Sequence, residues 1–156
     1  MANLRTAACI FSEDIRVEIG NKFSLMGIFS ADIIVAAPAP VVLPKFCIST
    51  WLLFDIGDVP TKVTVRVLVP PNRTEIFKYE QSSFQFPYEP DELSHGTLRI
   101  VNPIINFPLY EEGFIEVMLE TERETFRAGR LRIRLNAKPE EVGLPPNVAN
   151  ATVPPS

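Results

Sequence analysis

Valines stand at every second position from Lys62 to Val69. Val63, Val65, Val67 and Val69 alternate with Lys62, Thr64, Arg66 and Leu68. A period of two predicts a strand with the valines turned inward. Further apolar, strand-like runs cover residues 7–18, 23–35, 46–54, 74–81, 98–105, 114–121 and 125–135. Turn residues separate them: Gly20-Asn21, Gly57-Asp58-Val59-Pro60, Pro70-Pro71-Asn72-Arg73, Glu111-Glu112-Gly113 and Glu122-Arg123-Glu124. Gly20 suits the first central position of a two-residue II′ turn. Around Met26, Ile28 and Phe29 the chain is apolar on both faces, which predicts a strand covered on both sides. Gly27 within it marks a bulge or a close backbone approach. Pro38, Pro40 and Pro44 predict a crossing loop, and Pro103 places its strand at an edge or a bend. Trp51, in mid-strand, is expected in the core. The body shows no sustained period of 3.6. The pattern predicts a single antiparallel β-sandwich of about eight strands, immunoglobulin- or C2-like, with Greek-key connections.

Composition narrows this picture. The chain has 156 residues, 46% of them apolar, with seven Gly and 15 Pro. That is enough for one self-sufficient core at residues 1–137. Residues 138–156 hold Pro139, Pro145, Pro146, Pro154 and Pro155 without an aromatic, and are expected to form a flexible tail. Charges or prolines interrupt every apolar run, so no membrane span is expected. A net charge of −4 argues against nucleic-acid partners. No signal-peptide pattern opens the chain, so a cytoplasmic location is expected. Cys9 and Cys47 lie in apolar runs and read as reduced core thiols.

Residues 9–29 read Cys-Ile-Phe-Ser-Glu-Asp-Ile-Arg-Val-Glu-Ile-Gly-Asn-Lys-Phe-Ser-Leu-Met-Gly-Ile-Phe. This resembles the opening of a family of small uncharacterised bacterial proteins. In that family a Cys and an acidic pair precede Ile-Arg or Val-Arg, followed by a Gly-x-Lys turn and a Ser-Leu-x-Gly strand ending in an aromatic. Asp32-Ile33-Ile34-Val35 and Leu43-Pro44-Lys45-Phe46-Cys47 extend the resemblance, which covers residues 7–47. Here Ile10, Phe11 and Ser12 separate the Cys from the acidic pair. The resemblance implies a bacterial, cytoplasmic β-sandwich and brings no activity.

Candidate chemistry is sparse. His95 follows Asp91, Glu92 and Ser94, residue types that a nucleophile, a base and an orienting acid require. Adjacent polar residues in a loop are ordinary, and no catalytic residue is assigned. Metal-ligand spacings such as Cys-x-x-Cys are absent, Asp55, Asp58, Asp91 and Glu92 lack a dense calcium pattern, and no phosphate-binding Gly motif appears. No cofactor or metal is therefore expected. Phe77, Tyr79, Phe84, Phe86 and Tyr88 could make a sugar-binding face, although they read more simply as rings sealing one end of the sandwich.

The closing hairpin carries the one distinctive constellation. Arg130, Arg132 and Arg134 alternate with Leu131, Ile133 and Leu135, so three guanidinium groups share one face. The plain reading is a solvated face neutralised by Glu116 and Glu120. A three-residue loop at Glu122-Arg123-Glu124 predicts that Glu116 faces Arg130, Phe114 faces Arg132, Ile115 faces Leu131 and Glu120 faces Phe126. Phe114, Met118 and Phe126 then point outward among the arginines, the composition of a protein interface. Phe114, Glu116, Met118, Phe126, Arg130, Arg132 and Arg134 are thus the candidate binding residues. The expected function is a non-enzymatic interaction or structural module that contacts a protein partner or a second copy. The alternatives are a small-ligand or carbohydrate-binding sandwich and a phage or prophage structural protein.

Overall fold

The computed structural model of the protein describes residues 5–20, 22–84 and 95–138. The described chain is all-β. Its strands are β1 (Arg5–Glu18), β2 (Lys22–Phe29), β3 (Asp32–Ile34), β4 (Val41–Asp55), β5 (Lys62–Val69), β6 (Thr74–Ser82), β7 (His95–Leu109), β8 (Gly113–Thr121) and β9 (Thr125–Arg134). They form two sheets, with strand orders β2-β1-β4-β7 and β3-β9-β8-β5-β6. Nine strands appear among the described residues where about eight were expected. The reason is that the run 23–35 is two strands. The chain bends at Ser30 and Ala31, leaves the first sheet, and pairs Asp32–Ile34 with β9 in parallel. That pair is the exception to an otherwise antiparallel arrangement.

The core lies between the sheets. Val63, Val65 and Val67 are fully buried, as their alternation predicts, and meet Ile115, Val117, Leu119, Leu131 and Ile133 from the same sheet. Opposite them the four-stranded sheet contributes Phe11, Phe46, Ile48, Leu52, Phe54 and Phe107. The rings of Phe46 and Phe107 are 4.4 Å apart, and Phe11 lies 5.9 Å from Phe46. Burying each large apolar side chain stabilises the fold by roughly 1.5–3 kcal/mol before conformational entropy is counted. The sheets approach closely at Gly129, where an added Cβ would come within 2.7 Å of the Cys9 Cβ.

Several expectations are corrected here. Pro44 lies inside β4, not in a loop. β1 pairs with β4 only from Phe54 to Cys47, so beyond Cys47 that edge of β4 has no ladder to break. Residues 107–109 likewise continue β7 rather than leaving it. Pro103 does lie on an edge strand, because β7 ends the four-stranded sheet. β2 ends the other side of that sheet, so Met26 and Ile28 are exposed rather than covered. Trp51 is not in the core. Phe46, Ile48, Leu52 and Phe54 face inward, which turns Cys47, Ser49 and Trp51 to the outer side of the sheet.

That outer side is partly roofed by the β1–β2 hairpin. Beyond Ser12, β1 parts from β4 and continues paired with β2 alone. The Cys47 thiol donates to the Glu13 carbonyl at 3.7 Å, and Asp14 pairs with Lys45. Farther along, the Arg99 guanidinium of β7 lies 4.1 Å from the Phe23 ring centroid. The hairpin therefore laps over β4 toward β7. Gly27 permits the bend: its φ is +62°, and the Glu13 side chain occupies the space a Cβ would need. The Gly20 turn also has a positive φ, +80°, but Glu18 pairs with Lys22, which leaves a three-residue loop where two were expected.

Candidate functional site

The β8–β9 hairpin places the arginines as the alternation predicts, by a different route. Its turn is shorter than expected. The Thr121 N–H donates to the Glu124 carbonyl at 2.8 Å, and the Thr121 hydroxyl accepts from the Glu124 N–H at 3.0 Å. A threonine at this position stabilises a tight loop without Gly or Asn. Pairing then runs Glu120↔Thr125, Leu119↔Phe126 and Met118↔Arg127. A β-bulge follows, leaving Ala128 unpaired, and the ladder resumes at Val117↔Gly129. The bulge offsets the short turn. Glu116 therefore faces Arg130, Phe114 faces Arg132 and Ile115 faces Leu131, as expected.

Near the turn the expectation fails. Phe126 faces Leu119, not Glu120, and packs against the core. Phe126 is thus removed from the outer face, and Arg127 takes its place beside Met118. Met118, half-buried, stays on the outer side between the inward Val117 and Leu119.

The centre of the outer face is Glu116, whose side chain is only 13% exposed. Arg73 Nε lies 2.7 Å from its Oε2, and Arg127 and Arg130 approach its Oε1 at 3.6 and 3.9 Å. The Arg130 guanidinium also lies 3.4 Å from the centroid of the Phe114 ring, a cation–π contact. Phe114 itself remains 39% exposed. A shallow pocket of about 280 Å³ opens here, lined by Pro70, Asn72, Arg73, Phe114, Glu116 and Arg130.

Arg73 reaches this position because of the turn between β5 and β6. Asn72 and Arg73 have φ of 59° and 56°, and the Thr74 N–H donates to the Pro71 carbonyl at 3.2 Å. Two successive positive φ values define a type I′ turn. Asparagine accepts that conformation readily. An arginine there costs on the order of 1 kcal/mol, so surrounding contacts must hold it. The Glu116 ion pair and the Met118 sulfur, 3.7 Å from Arg73 Nη2, are those contacts.

Charge is unevenly spread over the five-stranded sheet. On β5 and β6, Arg66 pairs with Glu75 and Glu120, and Lys62 and Lys78 lie against Glu80. Around β8 and β9, Arg73, Arg127 and Arg130 share the single carboxylate of Glu116. Arg132 has no acidic partner among the described residues. Arg134, at the far end of β9, pairs with Asp32 at 3.9 Å. Of the sequence candidates, Phe114, Glu116, Met118, Arg130 and Arg132 thus come together. Arg134 lies beside them on the same strand, and Phe126 does not join them. Arg73 and Arg127 were missed in the sequence. An Asn in the Pro70–Arg73 turn hints at the first. The second is hidden by the bulge, which carries no local signature.

The other candidates resolve differently. His95 is exposed at the start of β7, its Nε2 3.3 Å from Asp55 Oδ1, while Asp91, Glu92 and Ser94 lie outside the described residues. Asp58 is buried and held by Arg5, whose Nε lies 2.8 Å from Oδ2 and whose Nη2 donates to Oδ1 at 2.9 Å. Arg5 also reaches Glu122 at 2.9 Å and the Thr121 hydroxyl at 3.1 Å, and Arg123 pairs with Asp58 from outside. Partial burial works to raise the Glu122 carboxyl. Hydrogen bonds from its own backbone, from Arg5 and from Thr61 outweigh it and hold the group below the usual carboxylate range. Phe77, Tyr79 and Phe84 pack against the core, so no ring platform exists among the described residues, and Phe86 and Tyr88 fall outside them. Cys9 and Cys47 are free thiols, both pushed up by burial. Among the described residues no group of three His, Cys, Asp or Glu could hold a metal. No helix among them is long and apolar enough to cross a membrane. Residues 139–156 of the expected tail also lie outside the described residues.

A protein-family model, described as a family of unknown function (DUF6941), matches residues 7–134. The chain belongs to this family. No curated protein matches it.

Proposed function

We propose that this member of a family of unknown function is a non-enzymatic protein-interaction module, with the outer face of β8 and β9 as its contact surface. The observation that carries the reading is the Glu116 cluster: three arginines on one largely buried carboxylate, with Phe114 stacked under Arg130 yet open to solvent. An exposed aromatic framed by arginine is the composition of interface hot spots. A sheet face that needed only solubility would carry balanced pairs, as the β5–β6 half does. Crossings of the chain between the two sheets fit a Greek-key path of the immunoglobulin or C2 type, a common frame for such modules. The resemblance at residues 7–47 supports a bacterial, cytoplasmic origin.

A photo-crosslinking amino acid at position 114 tests this in the cells that make the protein. A discrete crosslinked product should form from position 114 and disappear in an Arg130→Glu background. The same group at the exposed Val42 should form none. Equal products from both positions, or none from 114, would overturn the assignment.

A further inference from the structure

We propose that the β8–β9 face binds an acidic protein segment, with carboxylates on Arg130, Arg127 and Arg132 and an apolar side chain against Phe114. This rests on the interaction reading above and names its partner chemistry.

The argument is charge complementarity within a bounded strip. Four cations, Arg73, Arg127, Arg130 and Arg132, stand on this half of the sheet; three of them share Glu116, while Glu120, the other acid of β8, is held by Arg66 of β5. With both acids of β8 counted, an excess of two positive charges (four minus two) stands on a chain of net charge −4. Glu116 does not saturate these arginines. Arg127 and Arg130 stand 3.6 and 3.9 Å from it, beyond hydrogen-bond distance. Each guanidinium carries five N–H donors in a planar fork that fits a carboxylate. The side chains of Arg73, Arg127 and Arg130 are all about half exposed or more, so an incoming carboxylate can reach the donors that Glu116 leaves unused.

The strip also has an acidic end. Exposed Glu111 and Glu112 precede β8, whereas at the turn into β9 Glu122 is already engaged by Arg5 and Arg123. The acids at the β8 entry oppose a long polyanion while leaving room for a short acidic segment. These features favour a peptide over a nucleic acid.

The test uses the full chain and a fluorescein-labelled decapeptide of alternating glutamate and leucine, followed by fluorescence polarisation. The expected result is saturable binding that weakens several-fold when salt is raised beyond screening, from about 50 to about 300 mM. Arg130→Glu with Arg132→Glu should weaken it by about tenfold or more, while Lys78→Glu on the balanced half should leave it within about twofold. Melting curves check that each variant is folded. If the double reversal unfolds, Arg130→Ala and Arg132→Ala singly must each weaken binding by about threefold or more. No binding by the parent chain, or equal binding by folded variants, would overturn the proposal. So would tighter binding of a labelled oligothymidylate, or self-association of the parent chain that Arg130→Glu abolishes. A discrete crosslink from position 114 without peptide binding would overturn the acidic chemistry alone. Absence of both would remove the interaction reading as well.

Discussion

Arg5 and Arg130 each approach carboxylates, in opposite surroundings. The Arg5 side chain is 1% exposed and Asp58 5%, and their contacts tie β1 to the turn at Ile56–Asp58 and to the β8–β9 turn. Every one of these contacts joins segments more than fifty residues apart in sequence. Around Glu116 the arginines are at least 47% exposed, more numerous than the acids, and two of the three stand off beyond hydrogen-bond range. The same chemistry thus serves as a closed clamp in one place and as an unsaturated surface in the other. Burial and stoichiometry distinguish the two roles.

The sharpest way to break that contrast is Arg5→Met. Removing one member of a buried ion pair leaves Asp58 charged without its main partner, which costs about 3–5 kcal/mol. Urea unfolding should show that loss as a lower midpoint with an unchanged slope. A cost within about 1 kcal/mol would mean the clamp is no more structural than the surface cluster, because exposed pairs contribute in that range.

A smaller effect separates the two faces of the hairpin. Phe126 packs against the core and Met118 lies outside. Phe126→Ala should cost about 2 kcal/mol, less than a fully buried phenylalanine would, and Met118→Glu no more than about 0.5 kcal/mol. Equal costs would contradict the bulge at Ala128.

How far the sequence reached follows from these residues. Alternation found the valines of β5, the inward Leu131 and Ile133, and the outward Arg130 and Arg132, because a period of two is a local property. It could not see that Thr121 caps a two-residue turn or that Ala128 is unpaired. Two opposite errors in register cancelled at Glu116 and remained at Phe126. Nothing local distinguishes Arg5, because its partners come from distant turns. Trp51 was misplaced because aromatic character suggests burial without saying on which side of a sheet. The lapping hairpin, which depends on Gly27 and on contacts to β4 and β7, left only the glycine as a sign.

Acid sharpens the comparison from another side. Glu122 ionises more readily in the folded chain than in the unfolded one. Its contribution to stability is therefore complete above the ordinary glutamate value, about pH 4.3, and is lost as pH falls from there through the folded value. Glu122→Gln should be less stable than the parent at about pH 7, with the difference shrinking below about pH 4 in paired denaturation curves. A difference that grows on acidification would mean the Arg5 cluster does not favour the charged form.

The smallest expected effect falls on Arg132. It stands opposite Phe114 and has no acidic partner among the described residues. A residue retained for the fold would lose something on truncation: an ion pair, a packed stem or a hydrogen bond. Its backbone already makes the structural contact, the N–H donating to the Ala31 carbonyl at 3.2 Å, and alanine keeps that bond. Removing the guanidinium also relieves repulsion among four neighbouring cations. Arg132→Ala should therefore leave stability within about 0.5 kcal/mol of the parent, or raise it slightly at low salt. Denaturation at about 20 mM and about 300 mM salt reads both parts, because repulsion between exposed charges is screened at the higher value. A loss beyond about 1 kcal/mol at either salt would place Arg132 with Arg5 among the structural cations. The unsaturated half of the contrast would then rest on Arg127 and Arg130 alone.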